Sequence, residues 1–134
     1  RMSSIDELLK DFEFNDPASE DQIVSLERAE GIRFPKEYRD FLKTGNGGEG
    51  PVGEFGFANF WKIEEVAGLN GDYHIPEYLP GYLVIGSDGG GEAFAVKRNE
   101  AIYVQVPFVG ISDEDCMFMG HTFAEFLAKL SSKQ

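Results

Sequence analysis

His74, His121 and Cys116 are the only imidazoles and the only thiol in the sequence, and nucleophilic catalysis would need a histidine within hydrogen-bond reach of Cys116 or of a serine. His121 stands directly before an apolar periodic run, a position that suits flanking or capping a helix better than moving protons. His74 falls in Gly71-Asp72-Tyr73-His74-Ile75-Pro76, which reads as a surface loop. Cys116 has no second cysteine, no Lys/Arg cluster and no recognisable helix N-terminus to lower its pKa, so a buried, inert thiol is expected. Nor does this set show the paired-ligand spacing of a zinc site. No catalytic residue, metal or cofactor is expected from these groups.

The run Asp88-Gly89-Gly90-Gly91-Glu92 invites comparison with loops whose backbone N–H groups cradle phosphate. The comparison fails: no Gly-Lys-Ser/Thr follows, the run precedes a strand rather than a helix, and both flanking carboxylates repel phosphate. A turn that needs positive φ accounts for the glycines. Asp113-Glu114-Asp115 lacks the alternating ligands, central glycine and closing Glu of an EF-hand. It reads as an exposed acidic loop able to meet a basic partner. The sequence singles out no carboxylate pair for glycoside hydrolysis.

These residues are positioned by elements that alternate between two periods. Ser4 is placed to cap a helix carrying Ile5, Leu8, Leu9 and Phe12 on one face. Ser19 and Gln22 form a capping-box pattern ahead of Ile23, Leu26 and Ala29, a helix that stops at Gly31. Pro35 suits the first turn of a third helix, with Tyr38, Phe41 and Leu42 inward and Gly45 at its end. The stretch from Gly45 to Gly56 is so rich in glycine that a mobile loop is expected.

Phe57, Phe60, Trp61 and Ile63 suit a strand, and Glu64 to Leu69 a helical turn broken at Asn70-Gly71. Tyr82 to Ile85 reads as a buried strand. A strand starting at Glu92 and one through Ile102, Val104 and Val106 are joined at Arg98-Asn99-Glu100, which implies antiparallel pairing. Thr122 and Glu125 repeat the capping-box signal before Phe123, Phe126, Leu127 and Leu130. Helices first, strands in the middle and a last helix argue for an α+β fold with a mostly antiparallel central sheet, the N-terminal helices and the C-terminal helix packed against it.

At 134 residues, 42% of them hydrophobic, the chain is long enough and apolar enough for one domain spanning residues 2–134. Arg1 ahead of Met2 reads as a remnant of recombinant expression and is set aside. No apolar stretch reaches membrane-span length and no signal-peptide pattern opens the chain, so a cytoplasmic protein is expected. Acids outnumber bases 24 to 12. Such a field repels nucleic acid and anionic membranes and attracts basic proteins.

The ordered motifs Gly31-Ile32-Arg33-Phe34-Pro35-Lys36-Glu37-Tyr38-Arg39-Asp40-Phe41-Leu42, Asn46-Gly47-Gly48, Leu83 to Glu92 and His121 to Leu127 resemble the SUKH superfamily, and within it the Smi/Knr group. Where that group often has Asp or Asn after its glycine turn, this sequence has Glu92. The resemblance implies an α+β fold. For bacterial members it implies an immunity protein that neutralises a toxin, often a nuclease, and for fungal members a regulator of cell-wall synthesis.

Together with the charge, this favours a non-enzymatic binder of a basic toxin domain. The alternatives are a regulatory scaffold of the cell-wall type and a small hydrolase. The expected interface is the sheet surface and its bordering loops: Glu49 and Glu54 beside Trp61, Asp88 and Glu92 at the glycine turn, and Asp113, Glu114 and Asp115. Trp61 would serve there as a partly exposed anchor.

Overall fold

In the computed structural model, which describes residues 4–132, the N-terminal third is helical. Arg1 and Met2 fall outside it. Helix α1 (Ser4–Leu8) is shorter than its apolar spacing suggests and begins at Ser4 itself, so its capping position lies outside the described residues. The chain turns at Leu9, and Leu9 and Phe12 are buried from beyond the helix end. Phe12 there packs on Phe14, Phe41 and Phe60.

Helix α2 (Glu20–Glu30) follows its sequence signals closely. Ser19 Oγ accepts from the Gln22 N–H, the Gln22 side chain accepts from the Ser19 N–H, and Gly31 closes the helix in the left-handed conformation. Helix α3 (Lys36–Thr44) starts after Pro35 and buries Tyr38, Phe41 and Leu42.

Seven strands among the described residues form one antiparallel sheet in sequence order: β1 (Glu13–Phe14), β2 (Gly48–Val52), β3 (Gly56–Phe60), β4 (Tyr82–Ser87), β5 (Glu92–Lys97), β6 (Tyr103–Pro107) and β7 (Met117–Gly120). The α+β architecture read from the sequence is therefore the one observed. Helix α6 (Phe123–Ser131) lies on the sheet, with Phe60, Phe94, Tyr103, Phe123 and Phe126 in mutual ring contact. Thr122 Oγ1 caps it at the Glu125 N–H, but the Glu125 carboxylate turns to the His121 N–H, so only half of the expected box forms. No helix among the described residues is long and apolar enough to cross a membrane.

Two expectations are corrected. The glycine-rich stretch after α3 is not an irregular loop, because β2 runs through it, paired with β3 over its full length and with β1. Its glycines serve close approach. Gly48 has φ +142°, and a Cβ there would sit 2.2 Å from the Glu13 carbonyl oxygen.

Nor does Asn70-Gly71 break the next helix. Helix α4 (Ile63–Asp72) runs through both residues, and a short helix α5 (Ile75–Tyr78) follows. Asn70 is buried because it replaces a missing strand. Strands β3 and β4 pair only at Asn59 with Ser87 and Phe60 with Gly86. Beyond that point the Asn70 carboxamide accepts from the Val84 N–H (2.9 Å) and donates to the Val84 carbonyl (2.8 Å). Two buried backbone groups are thereby satisfied from a helix.

Candidate functional site

The parting of β3 from β4 opens a groove. At its edge the Trp61 N–H is held by the Ile85 carbonyl (2.9 Å). The Trp61 ring stacks on Tyr73 at the end of α4, with centroids 6.3 Å apart and planes 9° apart, and Tyr73 meets Phe108 beyond β6 at 4.6 Å. With Asn59, Leu69, Ser87 and Gly89 to Gly91, these rings line a cavity of about 460 Å³. A second cleft of about 460 Å³ continues past Tyr73 and Phe108 to Tyr78 and Ile111.

Trp61 is 8% exposed and Tyr73 42%. The ring available to a partner is therefore Tyr73, and the expected anchor Trp61 is the support behind it. Burial follows from the local chain path, which lays Trp61 between the end of β3 and α4 rather than on a mobile loop.

The glycine turn is built by side chains. Asp88 Oδ1 accepts from the Gly90 N–H (2.8 Å) and the Glu92 N–H (3.1 Å), and Ser87 Oγ accepts from the Gly89 N–H (3.1 Å). Gly89 has φ +82°, but Gly90 and Gly91 are outside the left-handed region. A Cβ at Gly91 would meet nothing, and one at Gly90 only the Asp88 carboxyl at ordinary contact distance. The expected need for positive φ thus holds for Gly89 alone.

The remaining sequence-derived residues separate in space. Glu13, Glu49, Asn59 and Ser87 are successive cross-strand partners, so an acidic row leads across β1 and β2 to the groove. Glu92 accepts from the Gln105 side chain (3.2 Å) beside the turn. Glu54 sits at the β2–β3 hairpin tip, its N–H on Ser131 Oγ of α6 (3.3 Å). Asp113, Glu114 and Asp115 form a 3₁₀ turn next to Tyr82. Tyr82 opens β4 and Ser87 closes it, so this acidic turn lies roughly 16 Å from the glycine turn at 3.3 Å per strand residue. Of the expected interface residues only Trp61 lines the groove. Glu49 lies one strand away opposite Asn59, Asp88 lines a separate cleft with Phe57, Gln105 and Leu130, Glu92 turns to that Gln105, and Glu54 and Asp113 to Asp115 lie apart.

Burial pushes the Cys116 thiol up to about 11, with Asp113 and Asp115 adding to the effect. At neutral pH it is therefore a protonated, unreactive thiol. Among the described residues no group of three or more His, Cys, Asp or Glu side chains could hold a metal ion.

A larger cavity, about 580 Å³, lies between α1 and α3 over Ile5, Leu9, Phe14 and Phe41. Size alone would favour it, but its polar rim is engaged: Lys36 pairs with Asp40 (2.8 Å), and Glu37 accepts from the Ala124 N–H (3.1 Å). The groove beside the glycine turn instead presents an exposed ring and an uncommitted carboxamide, since Asn59 makes no side-chain hydrogen bond to a described residue.

Residues 17–129 match the family profile described as SMI1 / KNR4 family (SUKH-1). The chain belongs to this family. A Bacillus subtilis (strain 168) relative, the uncharacterized protein YnaB, is 35% identical over 75 residues, which covers 56% of this chain and 47% of that protein. The match thus spans about half the length of the curated relative. In this SUKH-1 chain the matched region contains the whole groove.

Sequence reasoning passed over Asn59, Tyr73 and Phe108. Tyr73 was hidden by the expected helix break at Asn70-Gly71, and Phe108 follows a strand with no motif around it. The available signal was the run of acids around lone aromatics, because Lys62 is the one cation between Lys43 and Lys97.

Proposed function

We propose that this chain is a non-enzymatic, immunity-type binding module that neutralises a cognate toxin domain, a nuclease among the candidates, by docking on it through the groove beside the glycine turn. The observation that carries this reading is the half-exposed Tyr73, backed by Trp61 and Phe108 at the end of an acidic cross-strand row. A rigid aromatic anchor inside an acidic surround suits a basic protein surface. Family membership supports the same reading, as does the acidic balance of the whole chain.

The test is co-expression with candidate toxin domains of the source genome. Restored growth and a co-purifying complex are expected, both lost with Tyr73→Ala. Undiminished toxicity with no complex rejects the immunity role. Binding to an endogenous cell-wall regulator in the toxin's place would install the scaffold reading.

A further inference from the structure

We infer that the groove holds an extended, basic segment of the partner's chain, its main chain paired with Asn59 and a Lys or Arg side chain laid across Tyr73 and Phe108. This rests on the protein-binding reading above and specifies what that site recognises.

Asn59 provides the first argument. Its carboxamide carries both a donor and an acceptor, lines the groove, and is bonded to no described residue. Asn70 shows what such a group does in this fold, since it holds the N–H and the carbonyl of Val84 together at 2.9 and 2.8 Å. Asn59 stands one strand from that site, where β3 and β4 part, and can pair in the same two-point way with an incoming main chain. An extended segment is the occupant that offers an N–H and a carbonyl side by side.

Gly90 and Gly91 provide the second. Neither is required by backbone conformation, and a Cβ at either would fit among the protein's own atoms. What their bare backbone permits is close approach from outside, and both line the groove.

Charge chooses the side chain. Asp72 precedes Tyr73, Asp88 builds the turn, and Glu13 and Glu49 share the cross-strand row with Asn59. The nearby cation in sequence, Lys62, is exposed at the N-terminal end of α4, the opposite end of that helix from Tyr73. A cation over the exposed Tyr73 face gains both the ring quadrupole and this field, and an acidic or phosphorylated segment is repelled.

The probe is a displayed library of short linear peptides selected against the full chain at low salt, with recovered peptides measured by fluorescence anisotropy. Enrichment of Arg or Lys is expected. Asn59→Ala should weaken binding about 5- to 10-fold, as for loss of a two-point hydrogen bond. The Gly90→Ala/Gly91→Ala double variant should unfold at the wild-type denaturant midpoint yet bind about tenfold or more weaker. Tyr73→Phe should retain most of the affinity that Tyr73→Ala loses.

Recovery of no peptide, of peptides without basic residues, or of peptides indifferent to the Asn59 and glycine changes overturns the assignment. Toxin protection is scored separately. Peptide binding without protection would remove the immunity reading and keep this one, whereas protection undiminished in the double variant would do the reverse.

Discussion

Glu27 shows how much one charged side chain can hold. It is buried between α2 and α3, where its carboxylate accepts from the Phe34 N–H (2.7 Å) and from Arg39 Nε (3.1 Å). Glu27→Ala strands the Phe34 N–H and leaves Arg39 only its exposed partner Glu20, and loss of about 3 kcal/mol of unfolding free energy is expected, as for one half of a buried ion pair, measurable by urea denaturation. Arg39 also reaches Glu20 (2.8 Å), which Lys43 meets at 2.7 Å. Lys43 first and Arg39 second hold the Glu20 carboxyl down to about 2. Because the folded value lies below the unfolded one, this contribution is complete above about 4.5 and fades as pH falls toward 2. A carboxyl NMR titration of Glu20 with a midpoint near 4.5 would refute the pairing. None of this was legible in the sequence, since Glu27 is one of four acids on its helix with nothing local to mark it as the buried one, and its partner belongs to the next helix.

At the scale of elements, glycine has opposite meanings in two places. Gly48→Ala would drive a methyl into the Glu13 carbonyl and detach β1 from β2, and a loss above about 2 kcal/mol is expected for so strained a position. Gly68 lies inside α4 with nothing near its would-be Cβ. There Gly→Ala should add about 0.5–1 kcal/mol through helix propensity. Comparing the two midpoints in urea checks both, and equal midpoints would refute the reasoning. Caps and apolar stripes made α2, α3 and α6 readable, because those signals act within a few residues. Strand β2 and the far half of α4 were not readable, because a glycine chosen for close approach, or an asparagine chosen to replace a strand, looks like a breaker until its neighbour is known.

For the whole molecule, the excess of 24 acids over 12 bases sets the long-range field that a charged partner meets first. Association with the basic partner should slow about tenfold or more between low and high salt while dissociation changes little, because screening acts on the encounter rather than on the packed contact. Stopped-flow kinetics would show it, and a salt-insensitive on-rate would deny the field its role. Sign and size of that field were evident from composition. Its geometry was not: Asp113 to Asp115 and the glycine turn border the same strand at opposite ends, a separation that only tertiary structure sets.

The Asn70 fork has a consequence for following the protein in solution. Each sheet amide with a strand partner exchanges its proton for deuterium when strands open, but the Val84 amide is released when α4 lifts away, with the sheet intact. Since α4 ends at Tyr73, an occupant seated on that ring would restrain the helix and slow exchange at Val84 ahead of its strand neighbours. One buried amide thus acts as an internal gauge of whether the groove is filled.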